Sequence, residues 1–360
     1  MSCGLNDLAI AGAGPAGCAA AIAAARAGAR VLLLERGRYP RQKVCGEFVS
    51  PEGVALLGKL DPALTAELLE TAPRIAAARL FVDGRCAEMP VSPAAASVTR
   101  FALDDALWHA AMRAGADCRE QVTVNSVREQ FVVKTSAGEF SARAVIVASG
   151  RWSNLRPNQL APPTDSYIGV KAHYAEQRPP LSVDLYFFSG GYCGVQPVSD
   201  DRVNVCAVVL SSVAKSLEQL FSLNEALRER SQSWTLADGS LSTAPLIFGD
   251  PSPTEGQLLC AGDAAGFIDP FVGDGISLAL RSGRMAAECL AGVWRGQTAL
   301  SQAAQQYATR YRRELAPLFR NAALLRRMTS LNGPLRTTAF AAMQIPAVAR
   351  WVLNSTRARA

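Results

Sequence analysis

The first apolar run of the chain begins at Leu8, Ala9 and Ile10. A glycine-rich turn interrupts it, residues 19–27 continue it at helical length, and Val31, Leu32, Leu33 and Leu34 close it. Four consecutive apolar residues bounded by turns read as a strand buried on both faces, so residues 7–34 read as strand, tight turn, helix, strand. Residues 37–60 follow as a loop and a short helix. Short strands run through 74–98, with Leu80-Phe81-Val82, a turn at Asp83-Gly84, and then 86–89. A helix is expected over 100–115, and strands over 122–127, 131–135 and 140–147.

From 167 to 210 the period changes to two. Val183, Leu185 and Phe187 alternate with Asp184, Tyr186 and Phe188; Ser189-Gly190-Gly191 and Asp200-Asp201 then separate three antiparallel strands. Helices are expected over 216–232 and from Ile276 onward. The tail from Ser301 reads as helical, kinked at Pro317, broken at Gly333-Pro334, with a last helix from Pro346.

Two glycine elements give this order its chemistry. In Gly12-Ala13-Gly14-Pro15-Ala16-Gly17, Gly12 permits the tight turn, Gly14 lets the backbone approach a pyrophosphate, and Gly17 allows close helix–strand packing. The helix N-terminus offers free N–H groups to phosphates. Glu35, with Arg36 beside it, stands at the end of the second strand, where a carboxylate accepts ribose hydroxyls. Some 250 residues later comes Gly262-Asp263, leading through Pro270, Gly273, Asp274 and Gly275 into a helix at Ile276. This ordered pair suits an extended, two-ended FAD. A dinucleotide fold that resumes twice must have a β-rich domain inserted in pieces, at whose boundary ligands tend to bind. The expected segments are 1–72, 100–160 and 250–298 for the cofactor domain, 73–99 and 161–249 for the β-rich substrate domain, and 299–360 for a C-terminal helical region.

Composition narrows the options. At 360 residues, with 49% hydrophobic and 19% charged positions, the chain can bury a sizeable core. Nine cysteines without a C-x-x-C pair suit a reduced, cytoplasmic interior. With only two histidines, His109 and His173, a histidine metal site or a hydrolase triad is not expected, and both are read as structural. Residues 8–25 carry no charge, but the glycine cluster, Pro15, Asp7 and the lack of a basic leader argue against a signal peptide or membrane span. The net charge of +6 is concentrated late, at Arg310, Arg312, Arg313, Arg320, Arg326, Arg327, Arg336, Arg350, Arg357 and Arg359. Such a basic helical tail suits a solvated face, a peripheral membrane contact or an acidic carrier protein. No nucleic-acid motif accompanies it.

These residues resemble the FAD-dependent oxidoreductases that include para-hydroxybenzoate-hydroxylase-type monooxygenases, geranylgeranyl reductases and flavin-dependent halogenases. The likeness spans roughly residues 7–295. Arg100-Phe101-Ala102-Leu103-Asp104 is similar to the arginine-led helix beside the cofactor, and 145–151, with Gly150, Ser153 and Arg156, resembles a motif that normally reads Asp-Gly. Lys43-Val44-Cys45-Gly46-Glu47 and the Gly262-to-Gly275 run look closest to the geranylgeranyl-reductase-like branch. Ser149 stands where hydroxylases carry aspartate, and the halogenase Trp-x-Trp-x-Ile-Pro motif is absent. Residues 192–197 occupy the place of the reductases' aromatic cavity motif, without its tryptophan. The resemblance implies an α/β fold: an FAD-binding, Rossmann-type three-layer domain interleaved with a β-sheet substrate domain, plus C-terminal helices.

The activity expected first is NAD(P)H-dependent monooxygenation of an apolar or aromatic small molecule through a flavin hydroperoxide. The alternative is reduction of isoprenoid or other alkene double bonds; an electron-transfer dehydrogenase and a non-redox flavin cyclase come further behind. Electrons come from NAD(P)H or a partner reductase, and the substrate is apolar, with lipid or carrier-bound forms among the options. Cys45 is the candidate acid, in a loop the family places by the flavin ring, and Cys193 is a weaker one. Tyr186, Phe188 and Tyr192 are the expected cavity walls, with Tyr167 and Tyr174 as further aromatic candidates.

Overall fold

The computed structural model describes residues 5–151, 155, 166–243 and 245–329. The expectations at Ser153, Arg156, Gly333-Pro334 and Pro346, and the arginines at 336, 350, 357 and 359, lie outside these residues.

Among the described residues, the first sheet has eight strands. Asn6–Ala11 lies at its centre, parallel to Val31–Leu34 on one side and to Gly138–Val147 on the other. Leu258–Cys260 extends the parallel set beyond Gly138–Val147, and Asp117–Arg119 extends it beyond Val31–Leu34. Helices cover the middle of this sheet, which is why residues 8–11, 31–34 and 144–147 are apolar throughout rather than alternating. Each leucine of Val31–Leu34 is at most 1% exposed and contributes about 1.5–3 kcal/mol by its burial. The helix Pro15–Arg26 is alanine-rich because the helix Gly275–Trp294 crosses it at contact distance. A Cβ added to Gly283 would lie 1.9 Å from the Ala16 carbonyl oxygen.

The second sheet has nine strands among the described residues, in spatial order 235–236, 167–175, 202–210, 191–199, 182–188, 74–82, 85–97 and 48–49, with 241–242 paired to 167–175. Its far face is covered by the helices Leu217–Phe221 and Glu225–Ser231. Helices were expected over 216–232, with no break placed between them. The break comes at Asn224, whose Oδ1 accepts from the Leu227 N–H at 3.3 Å and whose Nδ2 donates to the Phe187 carbonyl at 3.1 Å. Pro317 likewise sits in the first turn of Ala316–Thr329, after Leu300–Glu314 has ended. A proline lacks the N–H that a helix interior needs, so it starts a helix here rather than kinking one.

Several tail arginines face carboxylates: Arg310 pairs with Glu288 and Glu314, Arg313 with Glu314, and Arg326 lies 3.7 Å from Asp269. Among the described residues, no helix is long and apolar enough to cross a membrane.

Candidate functional site

A cavity of about 780 Å³ lies where the C-terminal ends of the parallel strands meet the second sheet. Its first end is the turn after Asn6–Ala11. Gly12 has φ +101°, and a Cβ there would come within 2.4 Å of the Ala148 carbonyl oxygen, so the turn closes only with glycine. Gly17 packs against the Gly12 carbonyl, 1.9 Å from a built Cβ, and stays out of the cavity wall. Gly14 is the opposite case: it lines the cavity, and a Cβ on it meets no atom of the described residues within 4 Å. Gly46, Gly150 and Gly275 share that property along the same wall. Pro15 and Ala16 begin the first helix beside Gly14. The result is a long channel of open backbone beside two helix N-termini, a shape that accepts an elongated, diphosphate-bearing ligand.

Glu35 organises this end. Its Oε2 accepts the Ala13 N–H at 2.9 Å, and its Oε1 accepts the Gly37 N–H at 2.9 Å and Arg41 Nη1 at 2.5 Å. Burial works to raise its pKa, but Arg41 and the two amides outweigh burial and hold the carboxyl below its usual range. The carboxylate expected on a ribose therefore also braces the glycine turn. Arg41, which the motifs did not single out, lies 3.7 Å from Asp104 through its Nε. Arg100 grips the same Asp104 through bonds of 2.8 and 2.7 Å. Burial opposes the charge on Arg100, and Asp104 more than offsets it, raising its pKa. Arg36, Arg41, Lys43 and Arg100 all line the cavity, so this region is basic.

Asp263 follows Gly262 in the middle of the cavity. Burial raises its pKa against the pull of Arg151, Arg100 and Lys43. Pro270, Gly273, Gly275 and Ile276 line the far end, where Gly275–Trp294 starts. Asp274 does not line it: the Ser50 hydroxyl donates to its Oδ1 at 2.9 Å and turns the carboxylate away from the wall.

The second sheet supplies the opposite wall. Tyr192, Gly194 and Gln196 line it from one strand, and Val183 and Leu185 from the next. Tyr186 and Phe188 point the other way, and this corrects their expected place. They pack beneath the two short helices with Tyr174 and Cys193, and Arg230 donates to the Tyr186 hydroxyl at 3.1 Å. One set holds Val183, Leu185 and Phe187 and the other holds Asp184 beside the aromatic Tyr186 and Phe188, so alternation divides the residues without saying which set meets the cavity. Cys193 is equally remote, and burial pushes its thiol up to about 12.

The loop 42–47 closes the site. Cys45 and Gly46 line the cavity, and Asn204 Nδ2 donates to their carbonyls at 3.1 and 2.9 Å. The Glu47 N–H donates to Cys45 Sγ at 3.3 Å. Glu47 has φ +60°, a left-handed conformation that costs a glutamate about 1–3 kcal/mol and persists only when its surroundings enforce it. Its carboxylate is fully buried. Oε1 accepts Lys171 Nζ at 2.5 Å and the Arg100 N–H at 2.8 Å, and Oε2 lies 2.8 Å from His173 Nε2. His173 Nδ1 in turn lies 2.8 Å from Asp238. Burial works to raise the Glu47 pKa, but His173 and Lys171 outweigh it and the net shift is downward. Sequence reading quoted Glu47 only as the end of the Lys43-to-Glu47 motif, without a role of its own, and passed over Lys171. The available signal was a lysine and a histidine two residues apart in the otherwise apolar strand Tyr167–Ala175, hence on one face.

Residues 7–46 and 54–247 match two family models, each described as FAD dependent oxidoreductase. The chain is 30% identical over 320 residues to the menaquinone reductase of Mycolicibacterium smegmatis, covering 79% of this chain and 76% of that protein. It is 28% identical to the digeranylgeranylglycerophospholipid reductase of Methanocella arvoryzae, covering 86% and 83%. A geranylgeranyl bacteriochlorophyll reductase-like structure from Thermoplasma acidophilum superposes with a TM-score of 0.80 at 20% identity, over 98% of this chain and 95% of that one. The chain belongs to the FAD-dependent oxidoreductase family and is an enzyme of that family.

Proposed function

We propose that this enzyme reduces a carbon–carbon double bond in an apolar, isoprenoid-type substrate, with Cys45 as proton donor. One observation carries the reading: among the described residues, the second-sheet wall of the cavity holds no charged side chain and is built largely from Ala78, Leu80, Val91, Val183, Leu185 and Val208. A monooxygenase was the first expectation. Reductase moves ahead of it because the relatives at about 30% identity are named for reducing menaquinone and a digeranylgeranyl lipid, both of which carry isoprenoid chains.

In this reading Gly14, Pro15, Ala16, Glu35, Arg36 and Arg41 hold the adenosine diphosphate end of FAD. Arg100, Gly150, Gly262 and Asp263 hold its middle. Pro270, Gly273, Gly275 and Ile276, with Cys45 and Gly46, flank the ring. FAD bound there would, once reduced, supply hydride. The N-terminus of Gly275–Trp294 favours negative charge at that end by about 0.3–2 kcal/mol. Cys45 Sγ–H gives a proton to the alkene carbon adjacent to the one that receives hydride, and water restores it. The Glu47 N–H stabilises the thiolate in between. NAD(P)H is the donor that refills the electrons, and a partner reductase is the other source to test.

The deciding experiment mixes chemically reduced enzyme with geranylgeraniol in the absence of oxygen. Reoxidation, with a product that gains two hydrogens, is the expected result. No anaerobic reoxidation, but reoxidation in a parallel mixture that contains oxygen with a product that gains an oxygen atom, returns the assignment to the monooxygenases. Cys45→Ala is expected to slow alkene reduction by about 10²–10⁴-fold while FAD stays bound. If its rate equals that of the parent, Cys45 is not the acid.

A further inference from the structure

The apolar wall carries two polar side chains that this chemistry does not use. Gln196 is 2% exposed and lines the cavity; its Nε2 donates to Ser97 Oγ at 2.6 Å, and its buried Oε1 has no partner among the described residues. Its cross-strand neighbour Asn204 directs Nδ2 to the carbonyls of Cys45 and Gly46 and also leaves Oδ1 without a donor. Two residue pairs further along the same face, Tyr192 lines the cavity with a buried hydroxyl that has no partner among the described residues. Its ring sits 5.9 Å from Phe271, in the turn before Gly275–Trp294. Between the two polar groups stands Gly194, which adds no side chain to the strip.

A buried amide oxygen without a donor costs about 1–3 kcal/mol, and an apolar residue of similar shape avoids that cost. A wall built only for hydrocarbon has no use for it. A ligand that brings an O–H to this point recovers the cost on binding.

We propose that Gln196 selects a hydroxyl-bearing substrate, accepting the O–H of an otherwise apolar molecule at Oε1, with Tyr192 as a second polar contact further along the strip. The substrate class is an isoprenoid alcohol or a comparable apolar molecule with a free hydroxyl, as opposed to a bare hydrocarbon. The inference rests on the cavity reading above and names its substrate class.

The test titrates FAD-loaded enzyme with geranylgeraniol, its methyl ether, and the oxygen-free hydrocarbon of equal chain length, following the flavin absorbance. The parent enzyme is expected to bind the alcohol about tenfold more tightly than either analogue. Gln196→Leu is expected to remove that preference. Equal binding of the three ligands by the parent enzyme, or binding of none, overturns the proposal. So does a preference that survives both Gln196→Leu and Tyr192→Phe. Should Gln196→Leu fail to retain FAD, Gln196→Met carries the same comparison, and the parent-enzyme series needs no substitution. Because the readout is binding, failure to reduce any alkene would sink the reductase reading and leave this one standing.

Discussion

Replacing Glu47 with alanine is expected to destabilise the enzyme by about 3–5 kcal/mol and to release the loop that carries Cys45. The size of the effect comes from what stays behind. Lys171 is 2% exposed and His173 is 3% exposed, and both lose the carboxylate that neutralises their environment. Removing one partner of a buried ion cluster costs far more than the cluster's net worth, because the other charges remain in a low-dielectric interior. The left-handed backbone at Glu47 also loses its enforcement, so the loop keeps the Asn204 bonds to the Cys45 and Gly46 carbonyls but loses its buried carboxylate anchor. Thermal denaturation with FAD bound is the direct measurement. A melting temperature within about 2 °C of the parent would show that the cluster holds nothing. The double variant Glu47→Gln with Lys171→Met is expected to recover much of the loss, since it removes both charges together.

The same cluster gives a pH dependence of definite sign. The Glu47 pKa is lowered in the folded protein from its ordinary value of 4.5. Its contribution is therefore fully present above about pH 4.5 and is lost as the pH falls through the folded value. Acid should destabilise the parent enzyme more steeply than Glu47→Gln in that window. Parallel acid curves for the two proteins would remove Glu47 from the account.

Much of the first sheet was legible because its signals are local. A strand–turn–helix–strand unit shows in consecutive residues, and the steric demand at Gly17 comes chiefly from Gly12 within the motif, whereas that at Gly12 comes from Ala148 and Ser149 far along the chain. The second sheet was legible as strands but not as faces. Val183 and Leu185 look no more cavity-facing than Tyr186 and Phe188 until Arg230 and the helix Glu225–Ser231 take up one side. The ion cluster that anchors the loop 42–47 lay furthest from view. Glu47, Lys171, His173, Asn204 and Asp238 are spread over 192 positions, and no hydropathy pattern joins a loop glutamate to alternate residues of a distant strand. Arg41 was missed for the same reason, since its role appears only once Glu35 and Asp104 stand on either side of it.

Two glycines three positions apart are expected to fail in different ways when each is changed to valine. Gly14 has φ −73° and ψ −173°, extended backbone that any residue adopts, and no atom of the described residues lies within 4 Å of its built Cβ. Gly14→Val should therefore fold, with a stability within about 0.5 kcal/mol of the parent when FAD is absent from both. Its side chain fills the space in which a diphosphate meets the helix N-terminus, so the purified protein should be colourless. Gly17→Val meets the Gly12 carbonyl oxygen, which a Cβ would approach to 1.9 Å, and neither partner can yield without opening the turn. Overpacking of this kind costs about 1–3 kcal/mol even where side chains can adjust, and backbone cannot. That variant should be poorly soluble or unfolded, with or without added FAD. Circular dichroism and flavin absorbance on the two proteins separate the outcomes. A yellow, FAD-saturated Gly14→Val would place the cofactor elsewhere, whereas a folded, colourless Gly17→Val would mean that the helix tolerates displacement and that Gly17 serves the ligand rather than the packing.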